Sequence, residues 1–148
     1  MAKPNPTAGP SRRDVKEVTT IEPAALQEEF VRTPGDIAYW AEQYSVALEA
    51  QLTAEADRKR IREEVLLQVR QLLENSGEKA TEKVVAAMVE TNATYLAAVS
   101  ADIKADVQKN RVGGILDAVK SKRDILISLG AHIRHSEELH VLRSRRDR

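Results

Sequence analysis

TPGDIAYWAEQYSVALEAQLTAEADRKRIREEVLLQVRQLLENSG, residues 33–77, is the stretch that decides the fold. Thr33-Pro34 is a start signal, a capping hydroxyl followed by proline at the first helical position. Asp36 adds favourable charge in the first turn. From Pro34 to Glu74 no second proline occurs, and the only glycine is Gly35. The reading is one long helix, roughly 60 Å at 1.5 Å per residue. Apolar groups recur at Ile37, Trp40, Ala41, Tyr44, Ala47, Leu48 and Leu52, then at Ile61, Val65, Leu66, Val69, Leu72 and Leu73, all helical intervals. The intervening TAEADRKRIREE is nearly all charged, too polar for a continuous buried seam. Glu55 and Lys59, four apart, support the helix there.

Downstream, Asn75-Ser76-Gly77 is a helix stop. A short helix is expected from about Thr81 to Glu90, with Val84, Val85, Met88 and Val89 on its apolar side. Thr91 or Asn92 then caps a last long helix, in which Leu96, Val99, Ile103 and Val107 are spaced by three and four. Ile115, Val119, Leu126 and Leu129 continue the pattern more loosely. Gly113-Gly114 is expected to weaken or kink this helix, at about 1 kcal/mol per glycine relative to alanine, and Gly130 to end or bend it. Upstream, Pro4, Pro6, Gly9 and Pro10 mark residues 1–20 as a disordered tail, followed by a short helix from Pro23 to Val31. Residues 21–136 form the expected helical domain, to which the oligomer contacts and the binding site considered below are assigned, and residues 137–148, ending RSRRDR, a frayed basic tail.

The expected fold is therefore all-α: two long antiparallel helices joined by a short helical connector. Composition agrees, being rich in Ala, Leu, Val, Glu, Lys, Arg and Gln and with five aromatic residues in 148. So thin a hairpin leaves apolar faces for other subunits, which a ring or bundle would close. The residues expected at that interface are Trp40, Tyr44, Leu48, Leu96, Val99, Ile103, Val107, Ile115, Val119 and Leu126.

Several function classes find no footing. The absence of cysteine excludes disulfides and thiolate metal sites. No apolar run approaches the ~20 residues of a membrane span, and the Pro-rich start has no signal-peptide core, so a soluble intracellular chain is expected. There is no Walker loop, dinucleotide fingerprint or paired-carboxylate pattern, and Gly113-Gly114 follows no strand. The chain reads as a non-enzyme with no cofactor. His132, His135 and Glu138 share one helical face and make zinc conceivable, but histidines in a polar helix end more often bind nothing.

Net charge is zero, yet the charges are segregated. Residues 21–57 carry eight acids against one base, Arg32; RKRIR at 58–62 carries four bases and no acid; residues 120–148 carry eight bases against four acids. A polyanion site must therefore be local. The candidates are Arg58, Lys59, Arg60 and Arg62, and the group Lys120, Lys122 and Arg123 with Arg134. Against the first stands a solvated helix waist neutralised by Glu55, Asp57, Glu63 and Glu64; against the second, solubility and compensation of the helix dipole. Neither group has interleaved aromatics, so binding would rest on phosphates, fall with salt and read no sequence. Copies in a ring would multiply one weak patch.

The segment GILDAVKSKRDILISLGAHIR, residues 114–134, resembles the C-terminal helix of the UvsY-type recombination mediators of tailed phages. The matching positions are Leu116, Asp117, Ala118, Lys120, Ser121, Lys122 and Arg123, then Ile125, Leu126, Ile127 and Leu129. The order of elements is similar over about residues 34–135, while 114–134 is the specific part. The resemblance implies a small helical ring of six or seven subunits in the cytoplasm of an infected host cell. It implies sequence-independent binding of single-stranded DNA, contact with a single-strand-binding protein and a RecA-like recombinase, and nucleation of recombinase filaments. A Lys-x-Arg pair that the family associates with DNA falls here on Gln68 and Arg70, so the lysine is missing. Arg70 stays a candidate, and the weight shifts to Arg58, Lys59, Arg60, Arg62 and the C-terminal cluster. Two other readings compete: a coiled-coil scaffold protein of a phage particle, and an adaptor whose acidic 21–57 segment docks a basic protein.

Overall fold

The computed structural model describes residues 12–79 and 81–146. They are all-α, with no strand among the described residues. Helix α1 is Arg12–Thr19, a 3-10 turn covers Pro23–Ala25, and α2, α3 and α4 are Leu26–Ser76, Glu82–Glu90 and Ala93–Arg146. The chain divides into two compact units, one made of residues up to Glu42 together with those from Gly113 on, the other of Gln43–Val112.

In the Gln43–Val112 unit the helix ends follow their sequence signals. Gly77 sits at φ +71°, the left-handed conformation that favours glycine. Its N–H donates to the Glu74 carbonyl at 3.2 Å, and the Glu78 N–H reaches back to Leu73 at 3.2 Å. That pair of bonds closes α2 as a Schellman cap. The Thr81 hydroxyl accepts from the Val84 N–H at 3.4 Å to open α3. Asn92 Oδ1 accepts from the Thr94 and Tyr95 N–H groups, at 2.9 and 3.2 Å, to open α4. With both caps in place, Val65, Val69 and Leu73 of α2 close with Val85 and Val89 of α3 into one buried cluster, and Tyr95 of α4 packs against it. Each such side chain contributes about 1.5–3 kcal/mol when fully buried. Further along, Arg58 of α2 pairs with Asp102 of α4 at 2.8 Å. Partners falling on α2 as they rise on α4 make this an antiparallel helix pair.

The other unit overrides several signals. Helix α2 does not begin at Pro34; it runs through it from Leu26. Proline has no N–H to give the Phe30 carbonyl, a defect of about 3 kcal/mol in a helix interior. Thr33, expected as a cap, is buried, and its hydroxyl donates back to the Glu29 carbonyl at 2.6 Å. Thr33 and Trp40, on either side of the proline, are both buried. Nor does α4 break at Gly113-Gly114 or at Gly130. Gly114 has open space around it, whereas a Cβ on Gly130 would lie 3.1 Å from the Phe30 ring. Gly130 is thus a close-approach position between α2 and α4, not a helix end.

Both expected tails are corrected in part. Residues 1–11 of the N-terminal tail and 147–148 of the C-terminal one lie outside the described residues. Arg12–Thr19 is helical, with Val18 buried and Glu17 bonded to Arg32 of α2 at 3.0 Å. Eight residues with two valines gain that helix from docking, not from propensity. Helix α4 continues to Arg146. Among the interface candidates, Trp40, Ile115, Val119 and Leu126 are buried inside the single chain, so they cannot also cover a neighbour. Trp40 meets Tyr39 edge to face, with centroids 5.3 Å apart. Tyr44, Leu48 and Val99 are half-buried; Leu96, Ile103 and Val107 are exposed.

Candidate nucleic-acid interface

The RKRIR waist occupies slightly more than one helical turn of α2, so its cations fan around the axis. Arg58 faces α4, and its Nε lies against Asp102 Oδ2 in a half-buried ion contact not aligned as a hydrogen bond. Lys59, Arg60 and Arg62 face solvent. Each still has a carboxylate. Lys59 Nζ reaches Glu55 at 2.6 Å, Arg60 spans Asp57 at 3.0 Å and Glu64 at 2.8 Å, and Arg62 meets Glu63 at 3.3 Å. The hydrogen bond from Lys59 holds the Glu55 carboxyl below its usual range. The hydrogen bond to Asp57, then that to Glu64, raises the Arg60 guanidinium further. Arg70 pairs with Glu82 of α3 at 3.3 Å.

The C-terminal cluster splits by burial. Lys122 is 2% exposed, and its ammonium lies 2.5 Å from Glu29 Oε2 on α2. It faces inward with Val119 and Leu126, three residues before and four after it, both fully buried. Lys122 therefore cannot touch DNA in this fold, which corrects its assignment as a binding residue. Lys120 and Arg123 are exposed, the first 3.9 Å from Asp117 and the second 2.8 Å from Asp124. Arg134 is exposed and in no ion pair among the described residues.

These pairs are not equal. Exposed pairs, whether within one helix or, as for Arg70–Glu82, between two, contribute about 0–1 kcal/mol and weaken with salt. A phosphate can replace a carboxylate at so small a cost. Lys59, Arg60, Arg62, Arg70, Lys120 and Arg123 therefore remain chemically available, although the neighbouring acids cancel their long-range field. Arg58 is committed to Asp102 and is a poorer candidate than sequence implied.

Two cations escaped the sequence reading. Lys104 and Arg111 of α4 are exposed and in no ion pair among the described residues. Their signal was spacing: seven apart on one helical face, beside Ile103 and Val107.

Among the described residues no cluster of three His, Asp or Glu side chains is arranged to hold a metal, and His132, His135 and Glu138 are all exposed. No single helix among them is long and apolar enough to cross a membrane. No protein-family model, curated protein or solved structure matches the chain.

Proposed function

We propose that this chain is a non-enzymatic recombination mediator of the UvsY type, which assembles as a homo-oligomeric ring or bundle and binds single-stranded DNA through phosphates. In that role it acts in the cytoplasm of an infected host cell. There it helps a RecA-like recombinase replace single-strand-binding protein on DNA, with six or seven subunits by resemblance. The observation that carries the reading is the segment GILDAVKSKRDILISLGAHIR, with its Lys-Ser-Lys-Arg cluster. Its burial pattern supports a narrower site than the cluster as a whole. Lys122 locks α4 to α2 through Glu29, while Lys120 and Arg123 stay at the surface.

Retention of labelled oligo(dT) as a function of salt tests this. Binding should appear at low salt, with log K falling by about 0.7 per phosphate contact per decade of salt. Lys59→Glu/Arg60→Glu/Arg62→Glu and, separately, Lys120→Glu/Arg123→Glu should each weaken retention with helicity unchanged. Full retention by both variants overturns the site assignment, and no retention by the parent at low salt overturns the reading.

One observation favours a second reading, a coiled-coil scaffold protein of a phage particle. Eight of the nine candidate cations, all but Arg134, lie against a carboxylate. A scaffold would assemble as readily and retain no oligonucleotide at any salt.

A further inference from the structure

The back of α4 in the Gln43–Val112 unit carries large aliphatic side chains that nothing among the described residues covers. Leu96, Ile103 and Val107 are 50–61% exposed. At about 100° per residue they share one narrow ridge, roughly opposite buried Ala98. Lys104 and Arg111 lie along one side of that ridge and carry charges in no ion pair among the described residues. The same unit has a groove of complementary form between α2 and α4. It is lined by Val46, Ala50, Ala54, Ile61, Ala98 and Ala101 together with the acids Glu49 and Asp57. Glu49 is exposed and in no ion pair among the described residues. The four alanines of this lining let another helix approach closely, as ridges-into-grooves packing requires.

We propose that the ridge of one copy of this chain seats in the groove of the next. Three features of the molecule select a second copy as the occupant. Ridge and groove belong to one unit, so every copy carries both halves. The ridge is short enough to lie within the groove, about 16 Å from Leu96 to Val107 against about 22 Å from Val46 to Ile61 at 1.5 Å per residue. Their charges are opposite, Lys104 and Arg111 on the ridge against Glu49 on the groove. Because ridge and groove are different surfaces, the contact is head to tail, which closes into a ring or continues as a filament. This inference rests on the self-assembly part of the proposed function and is independent of its DNA part.

Native mass of the full chain tests it with two variants at exposed positions, Ile103→Glu/Val107→Glu for the ridge and Ala50→Glu/Ala101→Glu for the groove. Circular dichroism establishes that each keeps parental helicity. Each alone should be monomeric. Mixed, they should form a one-to-one dimer, because the ridge variant keeps its groove and the groove variant keeps its ridge. In a separate pair, Glu49→Lys should weaken assembly, and Glu49→Lys/Lys104→Glu should restore it. A groove variant that assembles like the parent overturns the inference, as does a mixture that stays monomeric or a charge swap without rescue. Those results leave self-assembly standing. A monomeric parent overturns both.

Discussion

Two cationic stretches, RKRIR at 58–62 and KSKR at 120–123, look alike on paper and are treated differently by the fold. In the first, Lys59, Arg60 and Arg62 lie outside and trade charge with neighbours one to four residues away. In the second, Lys122 is taken inside and matched to a carboxylate on another helix. A solvated pair is cheap to exchange, so it leaves the cation open to other anions. A buried pair is costly to break, because removing one partner strands the other in a dry site. The lesson is that density of lysine and arginine says little about availability, whereas the helical face they occupy says much.

The comparison breaks most visibly at Lys122. Lys122→Ala leaves Glu29 uncompensated and should destabilise by about 3–5 kcal/mol in denaturant unfolding, whereas Lys122→Met/Glu29→Leu should recover most of that loss. An alanine variant within about 0.5 kcal/mol of the parent would mean that Glu29 finds water or another partner, and the contrast would fail. Arg58, half-buried against Asp102, should fall between the extremes: Arg58→Ala about 1–2 kcal/mol, against less than about 0.5 kcal/mol for Lys59→Ala.

Glycine substitutions sharpen the same contrast at the backbone of α4. Gly114→Ala meets open space and should stabilise by about 0.5–1 kcal/mol. Gly130→Ala meets the Phe30 ring at 3.1 Å, so its gain should be smaller or reversed. Equal thermal shifts for the two would show that the ring moves aside freely.

The smallest effect is acid titration of the exposed pairs. Lysine partners hold the Glu55 and Asp106 carboxyls low, chiefly by hydrogen bonds from Lys59 and Lys109. A carboxylate whose pKa is depressed on folding contributes stability above its unfolded pKa and loses it as pH falls through the folded value. The contribution should therefore be complete at neutral pH and vanish below the ordinary carboxylate range. Carbon-detected NMR titration should find the Glu55 midpoint lower in the parent than in Lys59→Ala; an unmoved midpoint would dissolve the pair.

Half of the eight ends of the four α-helices were legible from residues alone. Asn75-Ser76-Gly77, Thr81 and Asn92 act locally, through hydrogen bonds spanning at most five residues, so neighbours in sequence suffice to read them. Thr33-Pro34 is an equally strong signal and was overridden: α2 runs through it, with Thr33 buried and its hydroxyl turned back to the Glu29 carbonyl. Helix α1 was missed because its anchors, Val18 and the Glu17–Arg32 pair, exist only once α2 is in place. At the candidate interface, sequence located the cations but not their partners. Glu63 and Asp57 beside the waist could be read directly, whereas Glu29 opposite Lys122 lies 93 positions away.

By itself the sequence determined the all-α class, the stop at Gly77 and the two clusters of positive charge, since periodicity, caps and composition act over a few residues. Only the tertiary structure decided which lysine is interior, that Gly130 lies close to the Phe30 ring and which aliphatic side chains remain outside. Those outcomes depend on long-range packing, and a one-dimensional pattern does not specify which faces meet.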